Sequence, residues 1–216
     1  MYELVGGDKP YNGDKMVLKG DRTLEDDVEG QAGQPILWKT TRAIEHAIMM
    51  KALNSDNTET PFHEIGHNFD SPNWTFEPEA LTIIKIYYYF STTNQGMVVN
   101  SQNRVFTGKQ YKDYIKSYAN RLKGHINYDA AMAKNVYSPY SLAYNLANIA
   151  DITGWDAFKQ TFRYLGTLPS AEVPKTKISK FNLFMTKLKD YSGVDVLSKF
   201  TSKEKSIYEG KLGGTI

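Results

Sequence analysis

Within Thr60-Pro61-Phe62-His63-Glu64-Ile65-Gly66-His67-Asn68-Phe69, two histidines stand four residues apart and a glutamate directly follows the first. On a helix that interval is just over one turn, so His63 and His67 project from the same face. Two imidazoles so placed can share one zinc ion at ~2.0–2.1 Å each. Glu64, beside His63, can reach the same side and take a proton from a metal-bound water. This is the chemistry of metal-assisted hydrolysis, and it needs a third ligand and a partner for the developing oxyanion. Glu79 is the favoured third ligand, because it follows His67 after eleven intervening residues and opens the next helix. A helix–loop–helix with that gap can fold back to face the histidines. Glu77 competes for the role, but it precedes Pro78 and is expected outside the helix. Asp70 lies too close to the end of the histidine helix to turn back easily. Two histidines and one glutamate leave a fourth position for water, as a catalytic zinc site requires. Candidates for the oxyanion are His125, Tyr137, Tyr140 and Tyr144, drawn from a chain with 15 tyrosines. Asp151 or Asp156 could orient a ligand histidine through its free ring nitrogen.

These groups need helices to hold them. Pro61 suits a first helical position with Thr60 as its N-cap, and the Asp70-Ser71-Pro72 run ends that helix. Glu77-Pro78-Glu79 opens a second helix running to about Thr92, with Glu79 in its first turn. Leu81, Ile83, Ile84, Ile86, Tyr87, Tyr88 and Phe90 make it apolar on most sides, the pattern of a buried helix. The Tyr87-Tyr88-Tyr89 triplet reads as core with a polar edge rather than as a carbohydrate platform. Upstream, residues 1–38 read as turns and short strands. Gly6-Gly7-Asp8, Asn12-Gly13-Asp14 and Gly30 mark turns, Met16-Val17-Leu18 is a candidate strand, and Ile36-Leu37-Trp38 is extended. Five acids between Asp21 and Glu29 lack regular ligand spacing and read as a solvated loop rather than a calcium site. Thr40 to Leu53 has helical spacing, with Ala43, Ile44, Ala47, Ile48 and Leu53 on one side. His46 on this segment has no partner at i+4 and reads as a packing or surface histidine.

Beyond Thr93-Asn94-Gln95-Gly96 the chain reads as mostly helical. Thr107 to Lys123 carries Tyr111, Tyr114, Ile115, Tyr118 and Leu122 at helical spacing. Ser138-Pro139 caps a helix with Leu142, Leu146 and Ile149. Thr153-Gly154-Trp155 opens another, with Phe158, Phe162 and Leu165 inward and Gly166 as its stop. A linker, Leu168 to Pro174, precedes a helix from Ser179 to Tyr191 carrying Phe181, Phe184, Met185 and Leu188.

Composition narrows the chemistry further. With 216 residues and 41% apolar content the chain can bury one good core, and it is read as a single domain, 1–216. Its parts are a strand and turn region (1–38), the zinc-binding helices (39–92) and a helical remainder (93–216). Acids and bases are mixed and the net charge is +2, so no basic face for nucleic acid is indicated. The absence of cysteine excludes disulfides and thiolate zinc sites, leaving histidine, aspartate and glutamate to hold any metal. The longest apolar run, Ala80 to Phe90, is broken by Lys85 and too short to span a bilayer. Residues 1–30 hold no signal-peptide apolar core, and the chain could be a fragment of a longer protein with its export signal upstream.

The run from Pro61 to Phe90 resembles the peptidase M60 (enhancin-like) family of gluzincin metallopeptidases. The matching pieces are His63-Glu64-Ile65-Gly66-His67-Asn68, then Trp74, then Glu79 opening a long apolar helix. Upstream, Gly33-Gln34-Pro35-Ile36 resembles that family's Gly-x-Pro-Ile segment. Downstream, Gly154-Trp155-Asp156-Ala157-Phe158 resembles its Gly-Trp-Asp-x-Phe. The resemblance implies His63, His67 and Glu79 as ligands of one zinc ion and Glu64 as the catalytic base. It implies an α+β, predominantly α-helical, zincin-like catalytic domain with a small N-terminal β region and a helical C-terminal part. It also implies a secreted or cell-surface enzyme that cuts peptide bonds in O-glycosylated, mucin-like proteins. Two rivals stand beside that expectation: a catalytically silent glycoprotein-binding or adhesion module on the same scaffold, and an unrelated helical protein with a chance motif.

Overall fold

The computed structural model describes residues 1–6, 17–25, 30–41, 43–44, 47–48, 59–93, 95–99, 104–118 and 124–216. Strands β1 (Leu18–Asp21), β2 (Gly30–Gln31) and β3 (Ile36–Lys39) form a three-stranded sheet in the order β1-β3-β2. β1 runs parallel to β3, with Leu18 opposite Ile36, and β2 runs antiparallel, with Gly30 opposite Trp38. The extended reading of Ile36–Trp38 thus becomes the central strand. Val17 precedes the strand expected around it, which starts at Leu18. Gly30, read from sequence as a turn, instead pairs as an edge strand. Asn12-Gly13-Asp14, Gly7, Asp8, Met16 and Asp26 to Glu29 lie outside the described residues, as do His46, Leu53 and residues 54–58; Glu59, expected to end a polar loop from Asn54, is helical instead. Thr40, Thr41, Ala43, Ile44, Ala47 and Ile48 are helical, and Ile44 and Ile48 are exposed.

The helices follow as α1 (Tyr2–Val5), α2 (Glu59–His67) and α3 (Pro78–Thr93). Helix α2 already includes Glu59 and Thr60, so Thr60 sits within the first turn, buried, rather than at the N-cap. Pro78 does open α3, and Glu77 caps it by accepting the Ala80 N–H at 2.8 Å. Every residue from Ala80 to Tyr88 is buried. Ile83, Ile84, Ile86, Tyr87 and Phe90 have modest helix propensity, so burial decides this helix: each such side chain contributes about 1.5–3 kcal/mol when fully withdrawn from water.

Next comes a hairpin, β4 (Gly96–Val99) and β5 (Arg104–Thr107), with Met97 opposite Phe106. It occupies a stretch that the sequence reading left without an element of its own inside a mostly helical remainder. Val98, Val99, Val105 and Phe106 suit a pleated surface, and that preference prevails here. Helix α4 (Gly108–Ser117) is shorter at both ends than the span Thr107 to Lys123, because Thr107 belongs to β5 and Tyr118 is extended, with ψ 133°. Residues 119–123 lie outside the described set. Helices α5 (Tyr128–Lys134), α6 (Pro139–Thr153), α7 (Trp155–Gly166), α8 (Lys177–Ser192) and α9 (Ser202–Leu212) complete the chain, with a 3-10 turn at Val196–Lys199. Ser138, Gly154 and Thr176 occupy the N-cap positions of α6, α7 and α8. α1 departs from the reading of residues 1–38 as turns and short strands, and α5 and α9 had no counterpart in the sequence reading.

The result is α+β and mostly helical, with one buried apolar cluster extending from Leu4 to Leu212. Helix α3 lies at its centre, packed against α2, α4 and α6. Trp74 packs edge-on against Phe162 at 4.8 Å between centroids, and Phe76 sits 5.2 Å from Phe181. These two anchors, in the loop between α2 and α3, fix how the second helix returns past the first. Among the described residues no helix is long and apolar enough to cross a membrane.

Candidate metal centre

Helices α2 and α3 cross closely because Gly66 has no side chain. A Cβ there would stand 2.7 Å from Thr82 Cγ2, nearer than such atoms approach. The crossing brings the first turn of α3 beside the histidine face of α2. His63 Nε2 lies 3.0 Å from Glu79 Oε2 and 3.1 Å from His67 Nε2. His67 Nε2 lies 3.4 Å from Glu79 Oε1. Four ligands at ~2.0–2.1 Å around a tetrahedral zinc stand about 3.3 Å from one another. Two imidazole nitrogens and a carboxylate therefore have both the chemistry and the spacing for one zinc ion. The site opens on the glutamate's side, where Glu79 is 43% exposed while both imidazoles are mostly buried.

Electrostatics favour a cation at this point. Burial alone would raise the Glu79 carboxyl, but the two imidazoles beside it hold it well below the usual carboxylate range. Burial works against charge on His67 as well, yet Asp70 and Glu79 push its pKa up to about 9. The negative field that favours a proton on this ring equally favours a metal ion.

The outer face of His67 is clamped. Its Nδ1 has Thr82 Oγ1 at 3.1 Å and Asp70 Oδ2 at 3.3 Å. The other oxygen of Asp70 accepts from Lys85 Nζ at 2.6 Å, and the same ammonium donates to the Gly66 carbonyl at 2.5 Å. Lys85 is 0% exposed and lies 5.4 Å from the Trp74 ring centre. Asp70, weighed from sequence only as a ligand, thus serves His67 from behind. Neither Asp151 nor Asp156 does so. Asp151 accepts from the Tyr87 hydroxyl at 2.9 Å and pairs with Lys112, while Asp156 points into solvent. Glu77, the rival third ligand, is buried as the cap of α3, and that burial raises its carboxyl pKa.

Glu64 is half-buried on α2, with β2 lying over it: a Cβ on Gly30 would stand 2.9 Å from Glu64 Cγ. Asn68 ties the Gly33 carbonyl to the end of this helix at 3.3 Å. Of the oxyanion candidates, Tyr137 and Tyr140 have hydroxyl pKa values raised first by burial and next by the nearby carboxylates Glu77 and Glu59 respectively, with Glu79 a smaller cause. Tyr140 stacks on Tyr118 at 4.2 Å, and His125 packs 5.5 Å from Tyr140. Tyr144 packs instead on Tyr128, at 4.9 Å, below Lys116. A further carboxylate, Glu59, starts α2 and accepts from Tyr114 at 2.9 Å and Tyr111 at 3.3 Å. Its acidic position at a helix N-terminus was the available sequence signal.

Comparison with known families places this geometry in context. The family model described as peptidase M60, enhancin and enhancin-like matches residues 26–200. No curated protein and no solved structure matches the chain.

Proposed function

The chain belongs to the peptidase M60, enhancin and enhancin-like family, and from that premise we propose that it is a zinc-dependent endopeptidase. The observation that carries this reading is the convergence of His63, His67 and Glu79, whose ligand atoms all lie within 4.8 Å of one another, with Glu64 on the same helix. These three residues would hold one zinc ion, which would acidify water and polarise the scissile carbonyl. Glu64 takes the proton from the attacking water and returns it to the leaving amine. Gly30 lets β2 pass close over Glu64, so the strand limits where that carboxylate can swing. Tyr137, Tyr140, Tyr144 and His125 stay the candidates for the oxyanion. The whole chain acts as one catalytic domain of zincin type, with the small sheet lying against the histidine helix.

The substrate class is protein, and specifically O-glycosylated, mucin-like protein met outside the cell or at its surface. The test is a digest of an O-glycoprotein by the zinc-loaded chain, with new termini mapped by mass spectrometry. Chelator should abolish cleavage, and Glu64→Gln should abolish it while keeping one zinc per chain. Unchanged hydrolysis by that variant removes Glu64 from the mechanism. Glycoprotein bound without new termini would make the chain a binding module.

A further inference from the structure

Lysine is rarely enclosed, yet Lys85 stands fully buried midway along the largely apolar helix α3. Its ammonium reaches two acceptors, Gly66 O at 2.5 Å and Asp70 Oδ1 at 2.6 Å, with the face of Trp74 beneath it. The first is a carbonyl in the last turn of the helix that carries both histidines. The second belongs to the carboxylate whose other oxygen faces His67 Nδ1. Lysine's reach thus ties the backbone of the histidine helix and the group behind its second ligand to one rigid point on α3.

We infer that Lys85 is a positioning residue of the metal centre, acting through Asp70 on His67. This rests on the zinc reading above. Asp70 is on the loop after α2 and is one-fifth exposed, so without the ammonium its carboxylate is free to rotate toward water. Held by Lys85, it keeps one oxygen at the His67 ring. A proton on Nδ1 then faces the Asp70 carboxylate, with Thr82 Oγ1 also beside it at 3.1 Å, and the Nε2 lone pair is left pointing at His63 and Glu79. Groups behind metal ligands commonly change affinity by about 10–100-fold when removed. A purely structural role is the competing account, since Lys85 also satisfies a carbonyl at the end of α2.

The experiment measures zinc affinity of the full chain by chelator competition, alongside thermal unfolding in excess chelator. Lys85→Met should weaken zinc binding by about 10–100-fold in the folded protein, and Asp70→Asn should do the same. The double variant should be no weaker than the more damaged single one, because both changes break the same chain of contacts. In the zinc-loaded protein, the His67 Nδ1 proton should exchange with water faster in either variant, as read by proton NMR. Should Lys85→Met not fold, Asp70→Asn keeps the lysine and its bond to Gly66 and carries the same affinity and exchange predictions. Variants that lose thermal stability yet keep wild-type affinity and exchange would reduce Lys85 to a structural prop. Additive losses in the double variant would equally overturn the shared pathway. Failure of the unaltered chain to bind zinc one-to-one would refute the metal reading itself, a separate outcome visible before any variant is made.

Discussion

Two of the buried ionisable side chains among the described residues sit in opposite company. Lys85 meets a carboxylate, a carbonyl and an indole, and its chain of contacts ends at a metal-ligand candidate. Glu204, buried on α9, meets neutral donors. Its Oε1 accepts from Tyr128 at 2.6 Å and from Asn145 at 2.7 Å, and its Oε2 from the Thr201 N–H at 2.7 Å and hydroxyl at 2.8 Å. Those donors join α5, α6 and α9. Full satisfaction by neutral groups gives a fixed joint between helices. A buried lysine paired to a carboxylate that backs His67, in a site open to solvent at Glu79, couples the scaffold to chemistry. The comparison teaches that burial of a charge does not by itself identify its role; what lies at the far end of its hydrogen bonds does.

Perturbations should therefore separate into two readouts. The largest effect belongs to Glu64→Gln, which should lower turnover by about 10²–10⁴-fold, the usual contribution of a general base, with zinc content unchanged. Steady-state kinetics with metal analysis checks it. Gly66→Ala should register on both readouts, because its methyl must displace Thr82 from beside His67. Overpacking of this kind costs about 1–3 kcal/mol, measurable by denaturant unfolding, and zinc affinity should fall with it. Glu204→Gln should cost about 1–3 kcal/mol of stability by leaving donors imperfectly paired, with zinc affinity and turnover untouched. A loss of zinc there would erase the division between the two regions.

The smallest effect is one of pH. Burial raises the Glu204 carboxyl, but Tyr128, Thr201 and Asn145 outweigh it and hold the folded pKa below the ordinary 4.5. A carboxylate depressed on folding contributes stability that is fully present above 4.5 and lost as pH falls through its folded value. Thermal scans from neutral to acid pH should show this loss in the unaltered chain and a shallower slope in Glu204→Gln.

Much of α2, α3 and their crossing could be anticipated because proline marks where α3 starts and the histidine interval demands a helix. Apolar stripes likewise announced α6, α7 and α8 through Leu142, Phe158 and Phe181. The rest was hidden for identifiable reasons. Lys85 looked like an interruption in an apolar run, since nothing local says that its partner lies fifteen residues back. Asp70 could be judged as a ligand from its spacing, whereas its contact with His67 depends on how the loop curls. The β4–β5 hairpin had a usable signal in Val98-Val99 and Val105-Phe106, flanking the polar Asn100-Ser101-Gln102-Asn103, but the helical periodicity that follows masked it. α5 and α9 rely on caps, Asn127 and Thr201, more than on a long apolar face.

The close crossing at Gly66 has a thermodynamic consequence. Trp74, Phe76 and the apolar length of α3 hold the two ligand-bearing helices together through contacts that involve no metal. On the proposed function, zinc would be a ligand added to a finished fold, unlike the small domains whose folding free energy is the binding energy of their ion. Its stabilisation would follow mass action, about 2.7 kcal/mol at a hundredfold excess over Kd, and would vanish with dilution while the fold remained. Loading and unloading of the ion would in that sense be reversible events on a standing scaffold.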